Sequence, residues 1–111
     1  MKARYVQRGE SIDYTPTEDI AAGDVVVFGK IRGIAKLDIK AGTLGALALT
    51  GIYEMVKGDA AFSAGDIVGW DSGNQKIVAA STAGCTKIGY VVADAAGGDA
   101  TVLVRLQQGL A

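Results

Sequence analysis

Short apolar runs separated by glycine-containing turns dominate this chain from residue 20 onward. The runs are rich in β-branched residues and begin roughly every ten residues, as strands of a small β protein do. They are Val25–Phe28, Ile31–Leu37, Leu44–Leu49, Ile52–Val56, Ile67–Trp70, Lys76–Val78, Ile88–Val92 and Thr101–Leu106. Only Asp59–Ala64 has the composition of a short helical turn. The pattern predicts an all-β fold, a small Gly-rich barrel or sandwich of short strands.

The first 19 residues are more polar than the rest. Pro16 excludes a helix there, and Thr15–Thr17 reads as a turn. We expect residues 1–19 to form an extended N-terminal arm or first strand, and residues 20–111 to form a single all-β domain.

A string of the form apolar-x-Ala-Gly-polar occurs three times, at Ile20–Asp24, Ile39–Thr43 and Phe62–Asp66. Glycine supplies the turn conformation, and the apolar residue would fill the core beneath the turn. Segment 30–38 also corresponds to segment 86–94, displaced by 56 residues. Two readings remain open: two related halves with pseudo-symmetric packing, or β-turn chemistry that recurs without duplication.

Composition narrows the function. Half of the 111 residues are hydrophobic but only 6% are aromatic, so small side chains must fill the core. The 11 basic and 12 acidic residues give a net charge of −1, and a protein that grips the phosphate backbone needs a strong basic excess. Nucleic acid is therefore not an expected partner.

Missing residue types argue against catalysis. The chain has no His, the commonest general base and metal ligand, and a single Cys, which permits no internal disulfide. No signal-peptide pattern or membrane-length apolar run is present. We expect a non-enzymatic protein of a reducing compartment, with no catalytic residues, no cofactor and no membrane association.

The nearest approach to a nucleotide motif is Gly23–Ile31. A phosphate loop needs four residues between its glycines and a hydroxyl after the Lys. Here five residues separate Gly23 from Gly29, and Ile31 replaces the hydroxyl. A strand ending in a glycine turn explains every residue.

The other candidate chemistries have equally plain explanations. Six aspartates near turns suggest calcium, but Asp beside Gly is ordinary turn chemistry, so no metal site is predicted. Cys85 lacks a base and reads as a small buried hydrophobe. Trp70 is either a binding anchor or, as we favour, the largest core residue.

Six basic residues make the N-terminal third modestly basic: Arg4, Arg8, Lys30, Arg32, Lys36 and Lys40. They either dock on an acidic partner or form a solvated strand face. We favour the second reading, since the last four alternate with Ile31, Gly33 and Leu37.

The motifs in order resemble one phage family. They are the Tyr5–Gln7 arm, Ala22–Gly29, Gly33–Ala35, Gly51–Met55, Phe62–Asp71, Lys87–Val92 and Gly98–Leu106. Together they resemble the small capsid cement, or head decoration, proteins of tailed phages and prophages, from about Tyr5 to Leu106. Members of that family often carry the label of predicted phage recombinase of the RecA or RadA type. The failed phosphate loop and the short chain do not support that label.

The resemblance implies an all-β protein that binds the outside of an expanded capsid and bridges its capsomers. Its partner would be the major capsid protein of a tailed phage, and its location the virion capsid surface, after assembly in the host cytoplasm. The alternatives are a DNA-recombination accessory protein, a small tail or spike component, or an enzyme of unrecognised type.

Two further expectations concern contacts. We expect a homo-oligomer, a dimer or trimer, joined through apolar strand surfaces. We also expect the arm to become ordered on the capsid by pairing with a strand edge or lying across the shell. Its candidate contact residues are Arg4, Tyr5, Arg8 and Tyr14.

Overall fold

The computed structural model describes residues 1–110, and these form nine strands and no helix, so none of them belongs to a helix able to cross a membrane. The strands are β1 (Ser11–Tyr14), β2 (Val25–Phe28), β3 (Ile31–Ile34), β4 (Gly45–Ala48), β5 (Ile52–Val56), β6 (Ile67–Asp71), β7 (Lys76–Ala79), β8 (Thr86–Val91) and β9 (Thr101–Leu106). The prediction of an all-β fold is confirmed. The division at residue 19 stays a prediction, with β1 lying inside the first segment.

The chain divides into two compact units, residues 1–26 with 33–49 and residues 27–32 with 50 onward. Sheet 1 has the strand order β1-β4-β3-β2, and sheet 2, wholly in the second unit, has the order β5-β9-β8-β6-β7. The edge strands of sheet 2, β5 and β7, are not continuously paired, since the bridge between Lys57 and Ile77 is an isolated one. The closed barrel, one of the two predicted architectures, is therefore not formed.

The two sheets repeat one topology. The order β1-β4-β3-β2 is matched by β5-β9-β8-β6, and β7 is an addition to the second set. The glycines of the middle strands match as well. A Cβ at Gly33 would meet Leu47 of the next strand, and a Cβ at Gly89, 56 residues on, would meet Val104 of its next strand. Turn chemistry alone requires no common strand order, so the structure favours two related halves.

The same carboxylate clasp holds each half at its turn. The Asp24 carboxylate accepts a hydrogen bond from the Ala21 N–H (3.0 Å), and the Asp66 carboxylate accepts one from the Ser63 N–H (2.9 Å). These equivalent bonds satisfy turn amides that the strand ladder leaves unpaired.

A second aspartate completes each clasp. Asp38 accepts from the Ala22 N–H, and Asp94 accepts from the Ala64 N–H, both at 2.8 Å. The intervening glycine of each string has a positive φ, as predicted, at Gly23, Gly42 and Gly65. The apolar residue of the string is buried at Ile39 and Phe62 and half-buried at Ile20.

Two local predictions are wrong. Segment 59–64 is not a helical turn, because Phe62 instead forms an antiparallel bridge with Ala95 and is buried there. The strand predicted over 31–37 ends at Ile34. The chain then turns toward the Asp38 clasp, which leaves Leu37 exposed.

Sheet 2 depends on glycine where β8 passes close to β9. A Cβ at Gly89 would run into the carbonyl oxygen of Arg105, a backbone atom that cannot rotate away. We expect Gly89→Ala to lower the free energy of unfolding by about 3 kcal/mol, at the upper end for overpacking. Gly98→Ala is the matched control, since a Cβ there meets nothing within 4 Å. Urea unfolding of both variants measures the difference, and equal stabilities would contradict this packing.

Candidate partner-binding surface

The segment before β1 is a chain with no strand contacts of its own. Residues 1–8 are exposed, including the large apolar side chains of Tyr5 and Val6. Regular structure begins where the Glu10 carbonyl accepts a hydrogen bond from the Leu49 N–H (2.8 Å). Because β1 occupies Ser11–Tyr14 of the segment predicted as an arm, we restrict the name arm from here on to residues 1–9.

Charge separates the arm from the rest of the chain. The arm contains Lys2, Arg4 and Arg8 and no acidic residue. The remaining residues have eight basic against 12 acidic side chains, a net charge of −4. The salt bridge between Arg8 and Glu10 (3.7 Å) joins two exposed groups and contributes little. The arm therefore presents free positive charge beside exposed apolar side chains.

The four predicted contact residues lie in two segments, and their role stays a prediction. Arg4, Tyr5 and Arg8 lie in the arm. Tyr14 lies instead in β1, opposite Gly45 of β4, and is half-buried. Its position makes it part of the sheet 1 edge strand next to the arm.

The reading of the basic residues after position 30 as a solvated strand face is wrong for Arg32. That residue is buried, and its guanidinium donates to the carbonyl oxygens of Lys87 (2.8 Å), Lys30 (2.7 Å) and Leu110 (2.6 Å). The Gln108 side chain also bonds both backbone groups of Arg32. Arg32 thus ties the end of the described chain to the β2–β3 hairpin.

Lys57 is a second buried cation, and nothing in the sequence pattern indicates it. Its ammonium group donates to the carbonyl oxygens of Gly58 (3.1 Å), Ala60 (2.9 Å) and Gly97 (3.4 Å). Like Arg32, it links loops that lack regular backbone partners.

The candidate catalytic and core residues have structural roles. Trp70 is buried, which confirms the core reading. Cys85 is half-buried rather than fully buried, and its Sγ packs against Gly69. Val25–Phe28 is a strand followed by a turn at Gly29, as predicted in place of a phosphate loop. Within residues 1–110, no three His, Cys, Asp or Glu side chains are grouped as metal ligands.

The two perturbed pKa values also have structural causes. The side-chain amide of Asn74 donates to Asp71 (2.8 Å) and, with the turn amides, lowers the pKa of that carboxyl. Burial raises the pKa of Tyr53, whose hydroxyl donates to the Thr50 carbonyl oxygen (2.8 Å). The Asp71 contacts close the predicted hairpin between β6 and β7.

A shallow groove of about 370 Å³ lies in the first unit, beside two exposed leucines. Leu37 is 76% exposed and Leu44 is 70% exposed. Their equivalents in the second half, displaced by the same 56 residues, are Ala93 and Ala100. The fold accepts alanine at these positions, so neither leucine is required for the turn.

Residues 6–106 match the family model described as phage cement protein. The chain belongs to this family of phage structural proteins, whose role is to stabilise the capsid. No curated protein and no solved structure matches the chain.

The buried lysine gives a test of how the loops are held. We expect Lys57→Met to lower the free energy of unfolding by about 2–3 kcal/mol, since three loop carbonyls lose their donor. Lys40→Met, at an exposed lysine, is the control and should change stability little. Thermal unfolding of both variants measures this, and a Lys57→Met variant as stable as the control would rule the role out.

Proposed function

We propose that this protein binds the outer surface of the expanded capsid of a tailed phage and bridges neighbouring capsomers. The observation that carries the proposal is the family match over residues 6–106. The all-β fold and the structural roles of the polar side chains support a role without catalysis or cofactor. The protein would act at the virion surface, after synthesis in the host cytoplasm.

Binding alone is enough to stabilise a shell. A protein that binds the expanded state and not the unexpanded state shifts the equilibrium toward expansion by mass action. Many copies on one shell make weak individual contacts sufficient. We therefore propose a homo-oligomer, a dimer or trimer, whose neighbouring copies reinforce each other on the lattice.

The arm is the proposed contact with the major capsid protein. Its three positive charges and exposed Tyr5 and Val6 suit a surface that is acidic and partly apolar. Because the arm leads into an edge strand of sheet 1, it can become ordered by lengthening that strand or adding to an exposed strand of the shell. Arg4, Tyr5 and Arg8 would make the first contacts, with Tyr14 beside them in β1.

Shell binding is tested directly by co-sedimentation of the purified protein with DNA-free capsid shells of the parent phage. We expect saturable binding to expanded shells and none to unexpanded shells, because only the expanded lattice presents the site. The saturation level gives the copy number. Binding to neither shell would reject the capsid role, and salt-dependent retention on DNA would then favour the recombination-accessory alternative.

The role of the arm is tested by charge reversal. We expect Arg4→Glu with Arg8→Glu to weaken binding to expanded shells about 10-fold, since each reversal replaces an attraction by a repulsion. Lys36→Glu with Lys40→Glu makes the same change in net charge at exposed residues outside the arm. The loss should diminish at high salt, where exposed charges are screened. Equal effects of the two double variants would remove the arm from the interface.

A further inference from the structure

The exposed face of sheet 2 contains several large hydrophobic side chains. Its large hydrophobic side chains are Ile52 (57% exposed) and Val56 (57%) of β5, Ile67 (47%) of β6 and Leu103 (41%) of β9. Directly opposed residues point to the same side of a sheet. The pairings Ile52–Arg105, Tyr90–Arg105 and Ile67–Tyr90 therefore place one row of side chains across four strands. We give the name outer face to the surface formed by seven residues: Ile52, Glu54, Val56, Ile67, Tyr90, Leu103 and Arg105.

The equivalent face of sheet 1 is also exposed but is less apolar. A Cβ at Gly33 would meet Leu47 and one at Gly89 would meet Val104, so Leu47 corresponds to Val104. By strand register, Ser11, Asp13 and Ala46 then correspond to Ile52, Glu54 and Leu103. All three are exposed, so large aliphatic side chains at these positions are particular to sheet 2.

The outer face has one charge of each sign. Arg105 is held in place: its guanidinium lies 5.9 Å from the Tyr90 ring centre and donates to the Tyr90 hydroxyl (3.0 Å) and to Gln107 (3.1 Å). Glu54 opposes Leu103 and is exposed between Ile52 and Val56. Arginine and tyrosine are enriched at protein interfaces, and an ordered side chain loses little entropy on binding.

We propose that the outer face binds the outer face of a second copy of this chain across a two-fold axis, with Glu54 of each copy paired to Arg105 of the other. An interface between identical surfaces must be self-complementary, and one carboxylate with one guanidinium meets that condition. The inference rests on the homo-oligomer of the proposed function. Of the dimer and the trimer proposed there, it specifies a two-fold dimer.

The register determines how the two faces meet. Glu54 and Arg105 occupy one diagonal of a four-residue block, and Ile52 and Leu103 occupy the other. A two-fold axis along the second diagonal exchanges the charges and packs Ile52 and Leu103 each against its own counterpart. With strands about 4.8 Å apart and a rise of about 3.3 Å per residue, strands of the two copies then cross at about 70°, closer to the orthogonal than to the aligned packing of sheets.

The area predicts weak association. Four strands about 4.8 Å apart and five residues of about 3.3 Å each give a face of roughly 300 Å². Standard stable interfaces bury about 800 Å² on each partner, so the dimer forms at high concentration or on a shell that gathers many copies.

The test is sedimentation equilibrium of the purified protein over a concentration series up to about 1 mM, with no shells present. We expect a concentration-dependent dimer. Glu54→Arg alone and Arg105→Glu alone should each raise the apparent dissociation constant at least ~10-fold, because like charges then face each other. The double variant should return it to within a few fold of the original. Leu103→Ser should also abolish the dimer.

Charge-matched controls are Glu18→Arg and Lys40→Glu, both at exposed residues of the first unit, and these should leave the dimer intact. A monomer at all concentrations, a trimer, or single reversals that associate like the original protein would each overturn the proposal. The proposal would also be overturned if the protein is monomeric and Leu103→Ser abolishes its binding to shells. That result would mean that the outer face binds the major capsid protein. Because the assay contains no shells, its failure leaves shell binding to be decided by co-sedimentation.

Discussion

The carboxylate clasp at the two equivalent turns is the interaction on which the arrangement of strands depends. Each turn exposes amide groups that no strand can pair, and an aspartate from within the turn and one from a distant loop accept them. The distant partners, Asp38 and Asp94, lie 16 and 30 residues from the amides that they bind. Each clasp therefore ties one chain reversal to the loop after the neighbouring strand, and so positions whole strands.

A chain with few aromatic residues needs more than apolar burial to hold its loops. The largest fully buried side chains are aliphatic, such as Leu47, Ile77 and Ile88. Arg32 and Lys57 supplement them by donating to several backbone carbonyls at once. A buried cation costs desolvation energy, which full hydrogen bonding offsets, and no buried side-chain nitrogen or oxygen among residues 1–110 is left without a partner.

The polar chemistry of the interior is thus committed to structure, and the surfaces available for partners lie elsewhere. The arm offers positive charge with exposed Tyr5 and Val6, and the outer face offers aliphatic side chains around Glu54 and Arg105. Under the proposals above, the two surfaces take different partners, an acidic capsid surface and an identical copy. The first contact would hold the protein to the shell, and the second would reinforce its neighbours there.

Local sequence determined the all-β class, nearly every strand and the three positive-φ glycines, because β-branched runs and Gly-Asp turns act over a few residues. It also contained the displacement of 56 residues between the two halves, and the common strand order supports their relation. Tertiary structure alone decided that Arg32 is buried, because carbonyl oxygens of residues 87 and 110 converge on its guanidinium. It also decided that Leu37 is exposed, because the strand ends at Ile34. Burial of Lys57 and the composition of the outer face were likewise decided by strand pairing, which brings together residues up to 53 positions apart (52 and 105) that no local pattern relates.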